Sequence, residues 1–325
     1  MPSRILRWTG LPLLAVIASL ALLSNALATT TADHGKFKEL QQPFDSGPAV
    51  TKACLSCHTE ASKQLHKTKH WTWEYLNPEQ KQMLGKKHVV NNFCISAPAN
   101  YAYCTSCHIG YGWKDDSFDF TSEVNVDCLA CHDTTGKYKK PAGMAGNPAT
   151  KEMEFPPGSG KIVKPVDLAK VAQKVGKTSR DTCGSCHFHG GGGDAVKHGD
   201  LDSSLEAPEK SLDVHMDATG LNFTCATCHM GRDHDVVGSR YAPTAKTKGG
   251  KLMRGLEEGK NPASCQSCHG DRPHAKADDK LNDHARKVAC QTCHVPEFAR
   301  GGIATKMTWD WSTAGKMGAD GKPMV

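Results

Sequence analysis

The sequence is short of the material from which an ordinary core is made. Aromatic residues occupy 6% of its 325 positions and the hydrophobic set as a whole 38%, against 31 glycines and 17 prolines. Side chains alone do not supply the apolar mass for a large core, so the chain has to bury something else. A fixed repeat is also missing, which excludes a solenoid. A comfortable membrane span is missing too. The apolar run Leu11 to Leu23 is too short, and with Arg4 and Arg7 before it and Ala26-Leu27-Ala28 after it reads as a cleavable signal peptide over residues 1–28. The expectation is a mature domain of residues 29–325, exported to the periplasm.

What the chain does have is cysteine in an unusual arrangement. Of its 15 cysteines, 14 pair off as CxxC, and every pair is followed directly by histidine. The motifs are Cys54, Cys57, His58; Cys104, Cys107, His108; Cys128, Cys131, His132; Cys183, Cys186, His187; Cys225, Cys228, His229; Cys265, Cys268, His269; and Cys290, Cys293, His294. CxxCH is a c-type haem attachment signature, in which two thiols add to the haem vinyl groups and the following histidine is placed beneath the iron. Structural zinc and thioredoxin-like dithiols also use CxxC, but neither calls for a histidine in the same place seven times. Seven covalently attached haems c are therefore expected, with the seven motif histidines as iron ligands. They supply the missing apolar mass. The expected fold is mainly α with extensive loops, a multihaem c-type cytochrome in which the haems form most of the core and on which folding depends.

Formal charge misleads for such a chain. The sequence carries +6; loss of Arg4 and Arg7 leaves roughly +4, and seven ferric haems with two propionates each take it to roughly −3. No nucleic-acid partner follows from the basic balance.

Along the chain, Thr59 to Leu76 lacks glycine and proline and predicts a helix with His66 and His70 four apart on one face. Residues 136–165 turn to glycine, proline and lysine and read as a surface loop. Asp167 is a candidate N-cap, with Leu168, Val171, Ala172 and Val175 at helical spacing behind it. The run Gly190 to Gly193 either brings backbone close to a flat cofactor or forms a loose surface loop. A second loop is expected over residues 241–259 and a helix over Asp279 to Ala289. Cys128 follows His108 by only 20 positions, and Cys290 follows His269 by 21; short linkers of this kind predict two pairs of adjacent haems.

Each iron has a second axial position, and ten histidines stand outside the motifs. His34, His70, His198, His215, His234, His274 and His284 are the better candidates, each near a motif or on a helix facing one; His66, His88 and His189 are the others. Met216 and Met230 lie close to motifs and read as packing. Irons held by two histidines are coordinatively full and suit electron transfer, whereas chemistry on a small molecule needs an open position.

One cysteine, Cys94, belongs to no motif. It opens the stretch CISAPANYAYCTSCHIGYGW. With VDCLACHDTTGKYKK, CGSCHFHGGGGDAVKHGDLD and TWDWSTAGK, that stretch resembles the octahaem tetrathionate reductase family of periplasmic multihaem c-type cytochromes, over nearly all of the mature chain. The resemblance implies a reductase of tetrathionate, and also of nitrite and hydroxylamine, fed by a periplasmic or membrane-bound redox donor through bis-histidine haems. It further implies that the reactive haem is the one on Cys104 and Cys107, that Cys94 lies beside its open face, and that a lysine serves as iron ligand. Lys197 in the glycine run is the candidate carried across, with Lys177 as runner-up. The family carries eight haems and this sequence has seven motifs, so the expectation is a chain truncated at its C-terminus, with an eighth haem if the protein continues beyond Val325. The rival expectation is a non-catalytic electron-transfer cytochrome.

Overall fold

Short helices joined by long connections make up the described chain, as its glycine and proline content dictates. The computed structural model describes residues 32–77, 81–88, 96–188, 201–236, 265–275, 277–295, 297, 312 and 315–321. His34–Val325 forms one compact unit, distinct from Met1–Asp33, and holds all the described helices and strands. The longest described helices are Gly47–Leu55 and Arg180–His187. Among the described residues, sheet is confined to three two-stranded antiparallel ladders, Tyr75–Asn77 with Gln82–Leu84, Met153–Glu154 with Ile162–Val163, and Gly231–Arg232 with Asp235–Val236.

The first helix starts after Ser46 with a proline in its first turn, where the missing N–H costs nothing. It buries Val50 against Leu40, Tyr111, Leu129, Tyr138, Leu168, Val171 and Ala172, the main apolar cluster. Gly47 is required here, because a Cβ would fall 2.3 Å from the Tyr111 ring. The buried Thr51 hydroxyl donates to the Val126 carbonyl at 2.6 Å, tying the helix to the strand-like segment that precedes the third motif. Asp167 caps the Leu168–Ala172 helix as expected, its carboxylate accepting from the Lys170 N–H.

Two expectations need correction. The single helix over Thr59 to Leu76 is instead two short ones, Ala61–Leu65 and Lys69–Thr72, followed by a strand. Thr68 breaks it: its backbone is extended and its hydroxyl turns back to the Leu65 carbonyl at 2.8 Å, the local competition by which threonine disfavours helix interiors. Residues 136–165 are not simply a surface loop. Tyr138, Ala145 and Ala149 are buried, and Gly146 packs so closely that a Cβ would fall 2.3 Å from the Gly110 carbonyl oxygen.

Apolar burial is lopsided. Among the described residues beyond Phe188, Leu212 is the only buried hydrophobic side chain. Polar ties replace it: the Arg180 guanidinium, at the start of the fourth motif's helix, donates to the carbonyls of Met216 and Phe223 at 2.6 and 2.8 Å and to Asn222 at 3.0 Å. Among the described residues, no helix is long and apolar enough to cross a membrane.

Candidate functional site

A CxxC pair in one helical turn presents both sulfurs on one face, three residues apart. Most of the motifs are built that way. The N–H groups of His58, His132, His229 and His294 bond the carbonyl four residues back, that of the motif's own first cysteine. The second motif departs from this. Thr105–Cys107 is a 3-10 turn, the His108 N–H bonds Thr105 instead of Cys104, and His108 leaves with extended backbone.

The motif thiols are unbridged, yet sulfurs of different motifs meet. Cys54 lies beside Cys128, Cys107 beside Cys186, Cys183 beside Cys225, and Cys265 beside Cys290. The sixth and seventh motifs are thus neighbours, in keeping with their short linker. Cys107 of the second motif reaches the fourth motif rather than the third.

Histidines also meet, and in twos. His34 and His58 stack with ring centroids 6.2 Å apart, His70 and His187 stand at 6.2 Å, His132 and His234 at 6.5 Å, His215 and His269 at 6.0 Å, and His274 and His294 at 6.1 Å. Each pair joins one motif histidine to one from outside the motifs. An imidazole nitrogen binds a first-row metal at about 2 Å and the ring centre lies roughly an ångström beyond, so two rings trans across one iron stand about 6 Å apart. Among the described residues no three His, Cys, Asp or Glu gather as a chelating group, so the pairs suit an iron whose remaining ligands come from a porphyrin. His132 has the second-nitrogen bond such a ligand needs, Nδ1 on the Gly176 carbonyl at 2.7 Å, which reserves Nε2 for iron. Burial holds the His70 and His234 pKa values down, favouring the neutral, metal-binding ring. The buried Nδ1 of His274 has no hydrogen-bond partner. The residues fit haem c.

Five of the seven expected distal histidines are therefore placed opposite motif histidines. His284 is exposed on the Asp279–Ala285 helix, and His198 lies outside the described residues, as do His189, Lys197 and Cys94. Lys177 is exposed. His88 pairs with Glu74 at 3.0 Å, and His66 stacks on Trp71 at 4.6 Å.

His108 is reversed relative to His132. It is fully buried in a box of Trp113, Trp71, Trp73, Phe118 and Phe120, with ring centroids 4.8, 5.1, 5.4, 5.6 and 6.2 Å away. Its Nε2 bonds the Trp71 carbonyl at 2.7 Å while its Nδ1 is the unpartnered nitrogen. Burial drives its pKa down to about 3, so the ring is neutral.

Beside it stands Lys140, which sequence reasoning missed. Its side chain is 8% exposed, its ammonium donates to the His108 carbonyl, and it pairs with Asp127 at 2.8 Å. Asp127 has a fully buried carboxylate that also accepts from Tyr111 at 2.8 Å, from Tyr138 at 3.0 Å and from the Ala130 N–H at 3.0 Å. Burial holds both tyrosine hydroxyls protonated, far above their ordinary range. Nothing in the spacing of a lysine-rich, proline-bounded loop announces this; only the Asp127 position directly before a motif hinted at a polar anchor.

No protein-family model and no curated protein matches the sequence. Its structure is similar to the solved octahaem cytochrome c from Shewanella oneidensis, with 42% identity and a TM-score of 0.70 over 90% of this chain and 60% of that one. This chain is a multihaem c-type cytochrome. The cytochrome spans about 60% of the length of that octahaem relative. Its loop-rich architecture fits the class, and haem c is its cofactor.

Proposed function

We propose that this cytochrome is a periplasmic reductase of small anions, tetrathionate and nitrite, and of hydroxylamine, acting at the haem on Cys104 and Cys107. The observation that carries this reading is the difference of the second motif from the five whose histidines are paired. Five motif histidines face a second histidine at the separation of a filled iron, whereas His108 turns its Nε2 to a backbone carbonyl inside an aromatic box. When bound, haem c supplies one-electron carriage and, where an axial position is open, a Lewis-acid site for a reducible ligand.

The protein's own contribution is to set up that difference. The Thr105–Cys107 turn aims His108 away from its usual role, and the box keeps it there. Lys140 lies against the same motif, on the His108 carbonyl; on haem binding its ammonium would give up a proton, and the neutral amine would be the iron ligand in place of His108. Asp127, fixed by Tyr111 and Tyr138, positions the Lys140 nitrogen, as outer-shell carboxylates position metal ligands. Lys197 remains the alternative that the resemblance suggests, with Cys94 as the thiol beside the site. A thiolate can attack an S–S bond, and tetrathionate contains such bonds; its two-electron reduction gives two thiosulfates.

Steady-state reduction of tetrathionate, nitrite and hydroxylamine by the purified holoprotein with an artificial donor tests the reading. Turnover of at least one is expected, and failure on all three would leave the second reading, an electron-transfer cytochrome, which the five histidine pairs favour.

A further inference from the structure

The segment after the Gln82–Leu84 strand, Gly85-Lys86-Lys87-His88, is a cationic arm laid over the aromatic box. Two backbone features fix it. Trp73 sits in the left-handed region at φ 54°, and Gly85 has φ +123° with its Cα so close that a Cβ would fall 2.1 Å from the Trp73 carbonyl oxygen. The Lys86 ammonium then lies 4.8 Å from the Trp73 ring centre, and Trp73 is itself in contact with His108 at 5.4 Å. The arm's charges are not equivalent. Glu74 takes both Lys87 at 2.9 Å and His88 at 3.0 Å, and Lys140 is matched by Asp127. Lys86 is half-buried and has no carboxylate partner among the described residues.

We propose that Lys86 is the anion-selecting residue of the site at Cys104 and Cys107: its ammonium, held over Trp73, attracts and orients oxyanions such as nitrite, and contributes little to neutral substrates. This rests on the reading of that motif as the reactive one. A cation stacked on indole keeps its charge and its remaining N–H donors available on the side away from the ring. With Lys87 matched by Glu74 and Lys140 by Asp127, Lys86 is an unmatched positive charge over the Trp73 side of a largely aromatic box, where low dielectric strengthens its pull.

The test uses the oxidised holoprotein and two probes, sodium nitrite and hydroxylamine, titrated by the haem absorption change at neutral pH in wild type, Lys86→Met and Lys86→Arg. Methionine keeps an apolar stem over Trp73 and removes the charge. Loss of one charge-assisted hydrogen bond corresponds to about ten-fold weaker nitrite binding in Lys86→Met, with a much smaller change for hydroxylamine and near wild-type behaviour in Lys86→Arg. Equal weakening of both probes, or unchanged nitrite affinity, overturns the proposal while leaving the reactive haem intact. A wild-type protein that binds neither probe overturns the reactive-haem reading and this inference with it.

Discussion

A buried lysine is costly unless its charge is met, and Lys140 is met by a carboxylate that is itself saturated with hydrogen bonds. Removing one partner exposes that cost. Asp127→Ala strands Lys140 and two tyrosine hydroxyls, and should lower holoprotein stability by about 3–5 kcal/mol in chemical denaturation; Lys140→Met made on top of it should recover part of the loss. Tyr138→Phe, which removes the buried bond to Asp127 and the longer one to the Tyr111 hydroxyl, should cost about 1–3 kcal/mol. These residues show what the sequence can and cannot say at this scale. The motif cysteines and histidines were legible because covalent chemistry requires a fixed local spacing. Lys140 was not, because its burial is created by residues 13 and 29 positions away, Asp127 and Tyr111, and a lysine among lysines carries no local mark of that. The distal histidines fell between: their identity could be narrowed by proximity to motifs, but only tertiary structure set His234 opposite His132 or His70 opposite His187.

At the scale of elements, short turns aim the ligands. Helical i to i−4 closure at His58, His132, His229 and His294, against the 3-10 turn at His108, is a difference of one hydrogen bond with a large consequence for direction. The N-cap at Asp167 was readable because the capping residue and the apolar spacing behind it agree. Asp167→Ala should cost about 1 kcal/mol, seen as a lower denaturation midpoint, since the helix it starts buries Leu168, Val171 and Ala172. The break at Thr68 was not readable, because absence of glycine and proline permits a helix without requiring one. Gly85→Ala places a side chain at positive φ against the Trp73 carbonyl; a loss of about 1–3 kcal/mol is expected, together with a weakened nitrite affinity as Lys86 leaves Trp73.

For the whole molecule, the scarcity of apolar residues and the near absence of buried ones among the described positions beyond Phe188 point the same way. Protein made without haem attachment should lack cooperative unfolding and be cleaved readily by protease, most of all after residue 188, whereas the haem-loaded protein should resist. A cooperative, protease-resistant apoprotein would mean that side chains suffice after all. The central claim is narrower: one haem, on Cys104 and Cys107, differs from the others in its axial ligands, and Lys140 makes it differ. Near-infrared magnetic circular dichroism of the oxidised holoprotein, wild type beside Lys140→Met, measures this directly. The account predicts bis-histidine bands together with a distinct lysine-ligated band that alone is lost or moved in the variant; bis-histidine bands only, unchanged by the substitution, would contradict it.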